Sequence, residues 1–273
     1  ELAEILQEIP QDIFDKKDAT HTQNELLAND PRVYVTMEEK SECDALVVLK
    51  ENVSEIYTDA KVSVTLLNNF FECPWKWYFR NFLKLPETKK TAPMLGSAVH
   101  ATIEYILKAN KLPKDLEIKN KIKLSLEREG IYDNREIDRL GKDAYKMIEN
   151  WIEIYYKNLA KDYTSERDIT YRDKAFPNLN MYGKIDLTER NGSEIIVTDF
   201  KTGTSKTTGM IEKLDDEGRL SGLMRQLAMY SYLINGAEGN TVTESRLLFL
   251  EEIGKNKNAL YSTRIGDEHI KLL

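Results

Sequence analysis

The spacing of apolar residues divides the chain into a helical first part and a strand-rich second part. From Ser63 to about residue 160, apolar positions recur every three or four residues, which is the period of a helix with one buried face. Ser63 is a suitable helix cap, because its side-chain oxygen can accept a hydrogen bond from a free amide of the first turn. The predicted helices run from Ser63 to Cys73-Pro74, from about Gly96, over residues 116–129 and over residues 135–159.

The period changes to about two after Asp162, which indicates β-strands. We expect strands over residues 167–176, 179–188, 194–200, 245–250 and 259–264, with a helix over residues 220–235 between the third and the fourth. Asn191-Gly192 is typical of a two-residue hairpin turn. The order of elements predicts an α/β fold, in which helices flank a central mixed β-sheet and the N-terminal half is largely helical.

Residues 1–60 differ from the rest of the chain in both pattern and charge. A short helical stripe over residues 2–9 stops at Pro10, and strand-like runs follow at residues 32–36 and 45–49. This segment carries 15 acidic and 5 basic side chains, whereas the remaining 213 residues carry 31 acidic and 34 basic ones. We therefore predict an acidic appendage over residues 1–60 and one domain over residues 61–273. The net charge of −7 does not exclude a phosphate-bearing partner for that domain.

Composition narrows the class of protein further. Hydrophobic residues make up 41% of the 273 residues and charged residues 31%, as in soluble globular proteins. No apolar run reaches the ~18 residues of a membrane-spanning helix, and no signal peptide is visible, so we expect no membrane association. With only Cys43 and Cys73, the chain cannot build a disulfide framework or a four-cysteine metal site. We expect a reducing, cytoplasmic location.

Two acidic residues and a lysine carry the candidate chemistry. Asp186 comes late in one predicted strand, and Asp199 ends the strand that pairs with it. Strand alternation places Asp199 and Lys201 on one face, with Phe200 directed into the core. Hard divalent cations prefer such oxygen-rich sites. By itself, however, the triplet is more often a surface ion pair at a strand end, and only the buried character of the strand over residues 194–198 favours a site.

Four short motifs occur in a fixed order around these residues. They are Gly96-x-x-x-His100, Gly183-x-Ile185-Asp186, Asp199-Phe200-Lys201-Thr202-Gly203 and Gln226-Leu227-x-x-Tyr230. In this order, over residues 63–250, the sequence resembles the PD-(D/E)XK nucleases, and within them the RecB-like branch. The resemblance implies a restriction-endonuclease-like core.

The resemblance also implies roles for these residues. Mg²⁺ or Mn²⁺ would be held by His100, Asp186, Asp199 and the carbonyl of Phe200. Asp186, Asp199 and Lys201 would form the catalytic group, and Gln226 and Tyr230 would position DNA. Each role has a structural alternative, because a single histidine on a helix often has no ligand role and Tyr230 could simply pack in the core.

The segment 75–85 combines aromatic and basic residues. Lys76 and Arg80 among its aromatics are suited to a single-stranded DNA path, through phosphate attraction and base stacking. Equally, the aromatics could form core and the basic residues its solvated side. Relatives that resemble this segment use a cysteine here and three more for an iron–sulfur cluster. Because those three are missing, we expect no cluster and interpret Cys73 as a small core residue.

Taken with these residues, the resemblance implies a metal-dependent DNA nuclease that acts on single-stranded DNA or duplex ends in repair or recombination, with exonuclease action expected in preference to endonuclease action. The alternative is a catalytically silent, nuclease-like DNA-binding module that supports a helicase motor. The first ten residues resemble the segment that follows the last motor motif of UvrD-type helicases, and the chain lacks an initiator Met. We therefore expect a helicase motor domain in the same polypeptide. The chain itself contains no nucleotide-binding Gly-x-x-x-x-Gly-Lys-Ser/Thr loop.

Overall fold

The computed structural model describes residues 44–58, 60–87, 90–109, 111–253 and 259–273, together with Thr20, His21, Asn24 and Ala28. It divides into two units, Glu1–Asn52 and Val53–Leu273, and the second contains the β-sheet. The helix predicted over residues 2–9 and the strand predicted over residues 32–36 lie outside the described residues. The domain boundary at residue 60 stays a prediction.

The described helices and strands follow the α/β order that the sequence predicts. The helices are α1 (Asp44–Thr58), α2 (Val64–Glu72), α3 (Pro74–Trp77), α4 (Thr91–Lys108), α5 (Asp115–Arg128), α6 (Asn134–Ile154), α7 (Thr208–Glu212), α8 (Gly222–Glu238) and α9 (Asp267–Lys271). The strands are β1 (Lys61–Ser63), β2 (Asp162–Tyr171), β3 (Asn180–Asn191), β4 (Glu194–Lys201), β5 (Glu244–Phe249) and β6 (Leu260–Thr263). A π-helical turn, Tyr78–Phe82, continues α3, and the 3₁₀ turns Tyr156–Asn158 and Leu250–Glu252 follow α6 and β5.

Local sequence explains where several of these elements begin and which face they bury. The Leu66 N–H donates to Ser63 Oγ at 3.2 Å, so Ser63 caps α2 as predicted. Helix α6 buries the same six residues that the helical period selects, which are Ile137, Leu140, Ala144, Met147, Ile148 and Trp151. The predicted hairpin joins β3 and β4, and Gly192 adopts a φ of 63° in its turn, but the two-residue loop is Gly192-Ser193 because Asn191 pairs with Glu194.

Three predicted elements differ from the structure. The strand predicted over residues 167–176 is β2, which begins five residues earlier and ends at Tyr171, so that residues 172–176 lie outside it. Residues 45–49 lie in helix α1 and not in a strand, because the helical repeat continues past them to the half-buried Val53 and Tyr57. A run of five apolar residues by itself does not distinguish a strand from a buried helix segment. Helix α4 begins at Thr91, five residues before Gly96. Pro93 is tolerated there, since amides in the first turn have no partner within the helix.

Some short elements of the structure have no counterpart among the predicted ones. Strand β1 has three residues and helix α7 has five, so neither shows a period that a sequence can reveal. Helix α9 follows β6, whereas the sequence analysis expected that last strand to close the chain. The omitted β1 affects the site, because it pairs with β3.

Strand β3 organises a mixed six-stranded sheet. Strand β2 pairs antiparallel with β3 along almost its full length. Asp162 lies opposite Arg190 at one end, and Tyr171 lies opposite Met181 at the other. The opposite edge of β3 is shared between parallel β1, which pairs at residues 180–182, and antiparallel β4, which pairs at residues 187–191. The edge of β3 is therefore open between these partners, over residues 183–186. Strand β5 then adds parallel to β4, and β6 antiparallel to β5.

Helices cover both faces of this sheet. Helices α4, α5 and α6 pack on one face, where Phe200 of β4 contacts the fully buried Trp151 with ring centroids 5.9 Å apart. Helix α8 packs on the other face against Ile185, Ile195 and Val197. No helix in the described parts of the chain is long and apolar enough to cross a bilayer.

Helix α8 approaches β3 closely at Gly183. A Cβ atom at this position would lie 2.6 Å from Leu233 Cδ1 and 3.3 Å from the ring of Tyr230. Leu233 is completely buried, so its side chain has little room to move away. The glycine therefore sets the distance between α8 and the sheet, and with it the height of Gln226 and Tyr230 above β4.

The variant Gly183→Ala tests this close approach. Overpacking should lower the free energy of unfolding by about 1–3 kcal/mol, measured by urea denaturation. Gly141→Ala is the matched control, because Gly141 lies in α6 and a Cβ there meets nothing within 4 Å. That control should gain about 0.5–1 kcal/mol from better helix propensity. Equal effects of the two substitutions on stability would contradict the inference that α8 needs a glycine at position 183 to pack against β3.

Candidate functional site

The site lies where β3 and β4 separate. Their last paired residues are Leu187 and Thr198, and Asp186 is the next residue of β3 on the open edge. The Phe200 N–H of β4 donates to Asp186 Oδ2 at 2.7 Å, so the carboxylate replaces the missing ladder partner. Asp186 is 8% exposed, and a buried carboxylate that accepts a main-chain amide is held firmly in one orientation.

Helix α4 brings His100 to this carboxylate. His100 Nδ1 lies 3.3 Å from Asp186 Oδ1, the oxygen that Phe200 does not use. One turn earlier, a Cβ on Gly96 would lie 3.0 Å from Thr202 Oγ1 in the segment that follows β4. The absence of a side chain at Gly96 thus lets the helix approach the end of β4. The structure brings His100 and Asp186 together as the sequence motifs require.

Glu166 of β2 is a third member of the group, and the sequence analysis missed it. It lies opposite Asp186 but is not paired with it, although Ser165–Leu187 and Arg167–Ile185 on either side are paired. Its φ is 51°, a left-handed value that a non-glycine residue in a strand rarely adopts. Only the register of β2 against β3 relates Glu166 to the motif residues, and no spacing in the sequence indicates it.

His100, Glu166 and Asp186 each offer one ligand atom, and these atoms all lie within 4.8 Å of one another. They line a cleft between α4 and the β2–β3 pair, together with Gly96, Ser97, Glu104 and Lys184. An imidazole nitrogen and two carboxylate oxygens form a donor set for a divalent cation.

Asp199 belongs to a second, adjoining group on the α8 side. Gln226 Nε2 donates to Asp199 Oδ1 at 2.7 Å, and the Tyr230 hydroxyl lies 3.3 Å from the same oxygen. Lys201 Nζ donates to Gln226 Oε1 at 2.7 Å and lies 2.7 Å from Asp199 Oδ2. Strand alternation predicted that Asp199 and Lys201 share a face while Phe200 enters the core, and the structure has this arrangement. Asp199 is not in the three-residue ligand group.

Negative charge dominates both groups. Burial lowers the pKa of His100, but the hydrogen bond and charge of Asp186, with Asp199 and Glu166, outweigh it and raise that pKa above 6.5. Burial, opposed by Lys201 and reinforced by Asp186, raises the pKa of Asp199 from 3.8 to about 6. Burial and the charge of Asp199 also raise the pKa of Tyr230 well above 10. Such a surplus of negative charge favours a bound cation.

Lys76 and Arg80 are not joined to these groups in the described part of the chain. Lys76 pairs with Glu72, and Arg80 pairs with Glu87. The aromatic rings around them are not core, because none of the residues of α3 and its π-helical turn is buried and Trp75 is 67% exposed. Cys73 is also only half-buried, which corrects its interpretation as a core residue.

Comparison with protein families identifies the chain. A model of the PD-(D/E)XK nuclease superfamily matches residues 61–269, which is most of the sequence. The chain belongs to this superfamily. No curated protein sequence matches it. Among solved structures, the chain is similar to "Crystal structure of SSO0001", with 17% identity and a TM-score of 0.30, over 68% of this chain and 83% of that chain.

PD-(D/E)XK nucleases generally use divalent metal ions, and the residues of this chain fit one. The ligand group supplies one nitrogen and two carboxylate oxygens. Beside it, Asp199 Oδ2 is buried and lies 2.7 Å from the Lys201 ammonium. An ionised carboxylate oxygen has a second lone-pair site, so Oδ2 can face a cation as well as the lysine.

Asp199→Asn tests how much this buried charge destabilises the metal-free protein. With a folded-state pKa raised from 3.8 to about 6, the folded protein binds the proton more tightly than the unfolded chain. The ionised carboxylate therefore destabilises the fold above about pH 6, and the cost disappears as the pH falls through 6 towards 3.8. The variant should raise the free energy of unfolding by roughly 1–3 kcal/mol at about pH 7.5.

Urea unfolding in EDTA measures this gain, which should be much smaller at about pH 4.5. Asp216→Asn, in an exposed loop, is the control and should change little at either pH. A gain of the same size at both pH values would show that the charge of Asp199 is not its cause.

Proposed function

We propose that this chain is a Mg²⁺- or Mn²⁺-dependent deoxyribonuclease that hydrolyses phosphodiester bonds. The observation that carries the proposal is that Asp186, a member of the ligand group, is bound by the Phe200 N–H between Asp199 and Lys201, so that two groups of side chains adjoin. One group offers metal ligands, and the other presents Lys201 beside Asp199. Membership of a nuclease superfamily supports the same reaction class.

In this proposal, His100, Asp186, Asp199 and the main-chain carbonyl of Phe200 hold the cation. When bound, the cation supplies Lewis-acid stabilisation of the charge on the phosphodiester. Asp186 is oriented for ligation by the Phe200 N–H, which leaves Oδ1 to face His100 and the cleft. Asp199 would take part through the second lone pair of Oδ2, because Oδ1 accepts from Gln226 and Oδ2 also faces Lys201.

Lys201 orients the attacking water and stabilises the negative charge that develops on the phosphate. Its ammonium is held between Gln226 Oε1 and Asp199 Oδ2, each at 2.7 Å, and its side chain is 26% exposed. A donor fixed in advance contributes more to a transition state than one that must reorganise. Gln226 and Tyr230 therefore act as positioning residues for Asp199 and Lys201, in addition to the contacts with DNA that we propose for them.

The finer assignment follows from the four motifs. We propose a RecB-like nuclease domain that acts as an exonuclease on single-stranded DNA or duplex ends, in repair or recombination. We further propose a cytoplasmic location and a helicase motor in the same polypeptide. Lys76 and Arg80 keep their proposed role in binding DNA, although each must leave its present carboxylate partner to reach a phosphate.

Neutralising the proposed catalytic group should remove cleavage without unfolding the protein. Asp186→Asn, Asp199→Ala and Lys201→Met should each lower the rate of Mg²⁺- or Mn²⁺-dependent DNA cleavage by at least about 100-fold. Labelled single-stranded, duplex, end-blocked and circular DNA, with EDTA as the blank, separates exonuclease from endonuclease products. Asp216→Asn is again the control. Cleavage by Asp199→Ala at a near wild-type rate would overturn the assignment.

A second candidate is a DNA-binding module without catalysis. It is favoured by one observation, namely that Asp199 is engaged by Gln226, Tyr230 and Lys201 and lies outside the ligand group. The same assay distinguishes the two candidates. DNA binding with no product in Mg²⁺, Mn²⁺ or EDTA would favour the module.

The proposed fusion has an independent test. Immunodetection of the native gene product should find a polypeptide much larger than the 31.6 kDa of this chain, because a helicase motor would add several hundred residues. A native product near 31.6 kDa would refute the fusion and leave the nuclease assignment unaffected.

A further inference from the structure

Lys184 and Glu166 form an ion pair inside the cleft that holds the ligand group. Lys184 Nζ lies 2.5 Å from Glu166 Oε2. Lys184 precedes Asp186 by two residues on β3, so both project from the same face of the strand. Glu166 faces them from β2. The pair therefore belongs to the same cleft as His100 and Asp186.

The two partners differ sharply in exposure. The Glu166 side chain is 8% exposed, whereas the Lys184 side chain is 50% exposed. A buried carboxylate needs a cationic or hydrogen-bonding partner, because its desolvation is otherwise costly. A half-exposed ammonium on a long flexible side chain can turn into solvent at little cost, because much of it is already hydrated. Lys184 is thus the mobile partner and Glu166 the fixed one.

We propose that Glu166 is a further ligand of the cation, and that Lys184 is its counter-ion in the metal-free protein and is displaced when the metal binds. This inference rests on the metal site of the proposed function and adds two residues to it. Each of the three ligand atoms already lies within 4.8 Å of the others, so Glu166 needs no movement of the backbone to take part.

The arrangement sets the metal affinity through two opposed contributions. Glu166 adds a third negatively charged group beside Asp186 and Asp199, and a larger number of charged oxygen ligands tightens the binding of hard cations. Lys184 weakens binding, because its pairing with Glu166 must be broken and its charge repels the incoming ion. A site of this kind binds metal only when the ion is abundant enough to compete with the lysine.

Isothermal titration of Mn²⁺ into the full chain tests both residues without any measurement of activity. Glu166→Gln should weaken Mn²⁺ binding by about tenfold or more, because one charged ligand is lost. Lys184→Met should tighten it by roughly three- to tenfold. Lys184→Arg keeps the charge and should remain within about twofold of the wild type. Circular dichroism and urea unfolding confirm that each variant is folded.

Glu104→Gln is the matched control for Glu166→Gln. Glu104 lines the same cleft but is bound by Lys108 at 2.5 Å, and it is not in the ligand group. If Glu166 ligates the metal, Glu104→Gln should change the affinity less than about twofold. Equal weakening by both variants would show that only the general negative potential matters, and would overturn the proposal.

Three further results would overturn it. They are wild-type Mn²⁺ affinity in folded Glu166→Gln, unchanged or weaker binding in folded Lys184→Met, and no Mn²⁺ binding by the wild type. Failure of the proposed function is distinguishable, because it appears in the cleavage assay. If Mn²⁺ binding follows Glu166 and Lys184 while no DNA is cut, the inference on the metal site stands and the nuclease assignment does not.

Discussion

The hydrogen bond from the Phe200 N–H to the Asp186 carboxylate is the contact on which the candidate site depends. It lies where β4 leaves β3, so it connects the end of the sheet ladder to the first residue of the open edge. The same carboxylate faces His100 with its other oxygen. The Asp186 side chain therefore connects β3 to β4 at the point where the two strands diverge, and it directs its other carboxylate oxygen towards the cleft.

Two glycines let helices approach this point from opposite faces of the sheet. Gly96 allows α4 to lie against the segment after β4, and Gly183 allows α8 to lie against β3. Neither glycine has a positive φ, so the requirement is space and not backbone conformation. As a result, His100 on one helix and Gln226 with Tyr230 on the other reach adjoining parts of the same strand ends.

The site destabilises the fold because it buries several carboxylates close together. Asp186, Asp199 and Glu166 are brought together in a region of low exposure, and His100, Lys201 and Lys184 compensate only part of their charge. A protein tolerates such an arrangement because the remaining core is large and apolar on both faces of the sheet. The uncompensated charge is also what gives a divalent cation its affinity.

The sequence by itself determined the α/β order, the buried faces of α4 and α6, the hairpin at Gly192 and the approach of Asp199 and Lys201 on one face. These follow from local periods, turn chemistry and strand alternation, which act over a few residues. Its errors lie where short-range pattern is ambiguous, as in the apolar run that became α1. Glu166 and Lys184 could be related to His100 only by the register of β2 on β3 and the packing of α4. Such relations are between residues distant in sequence, and only the tertiary structure decides them.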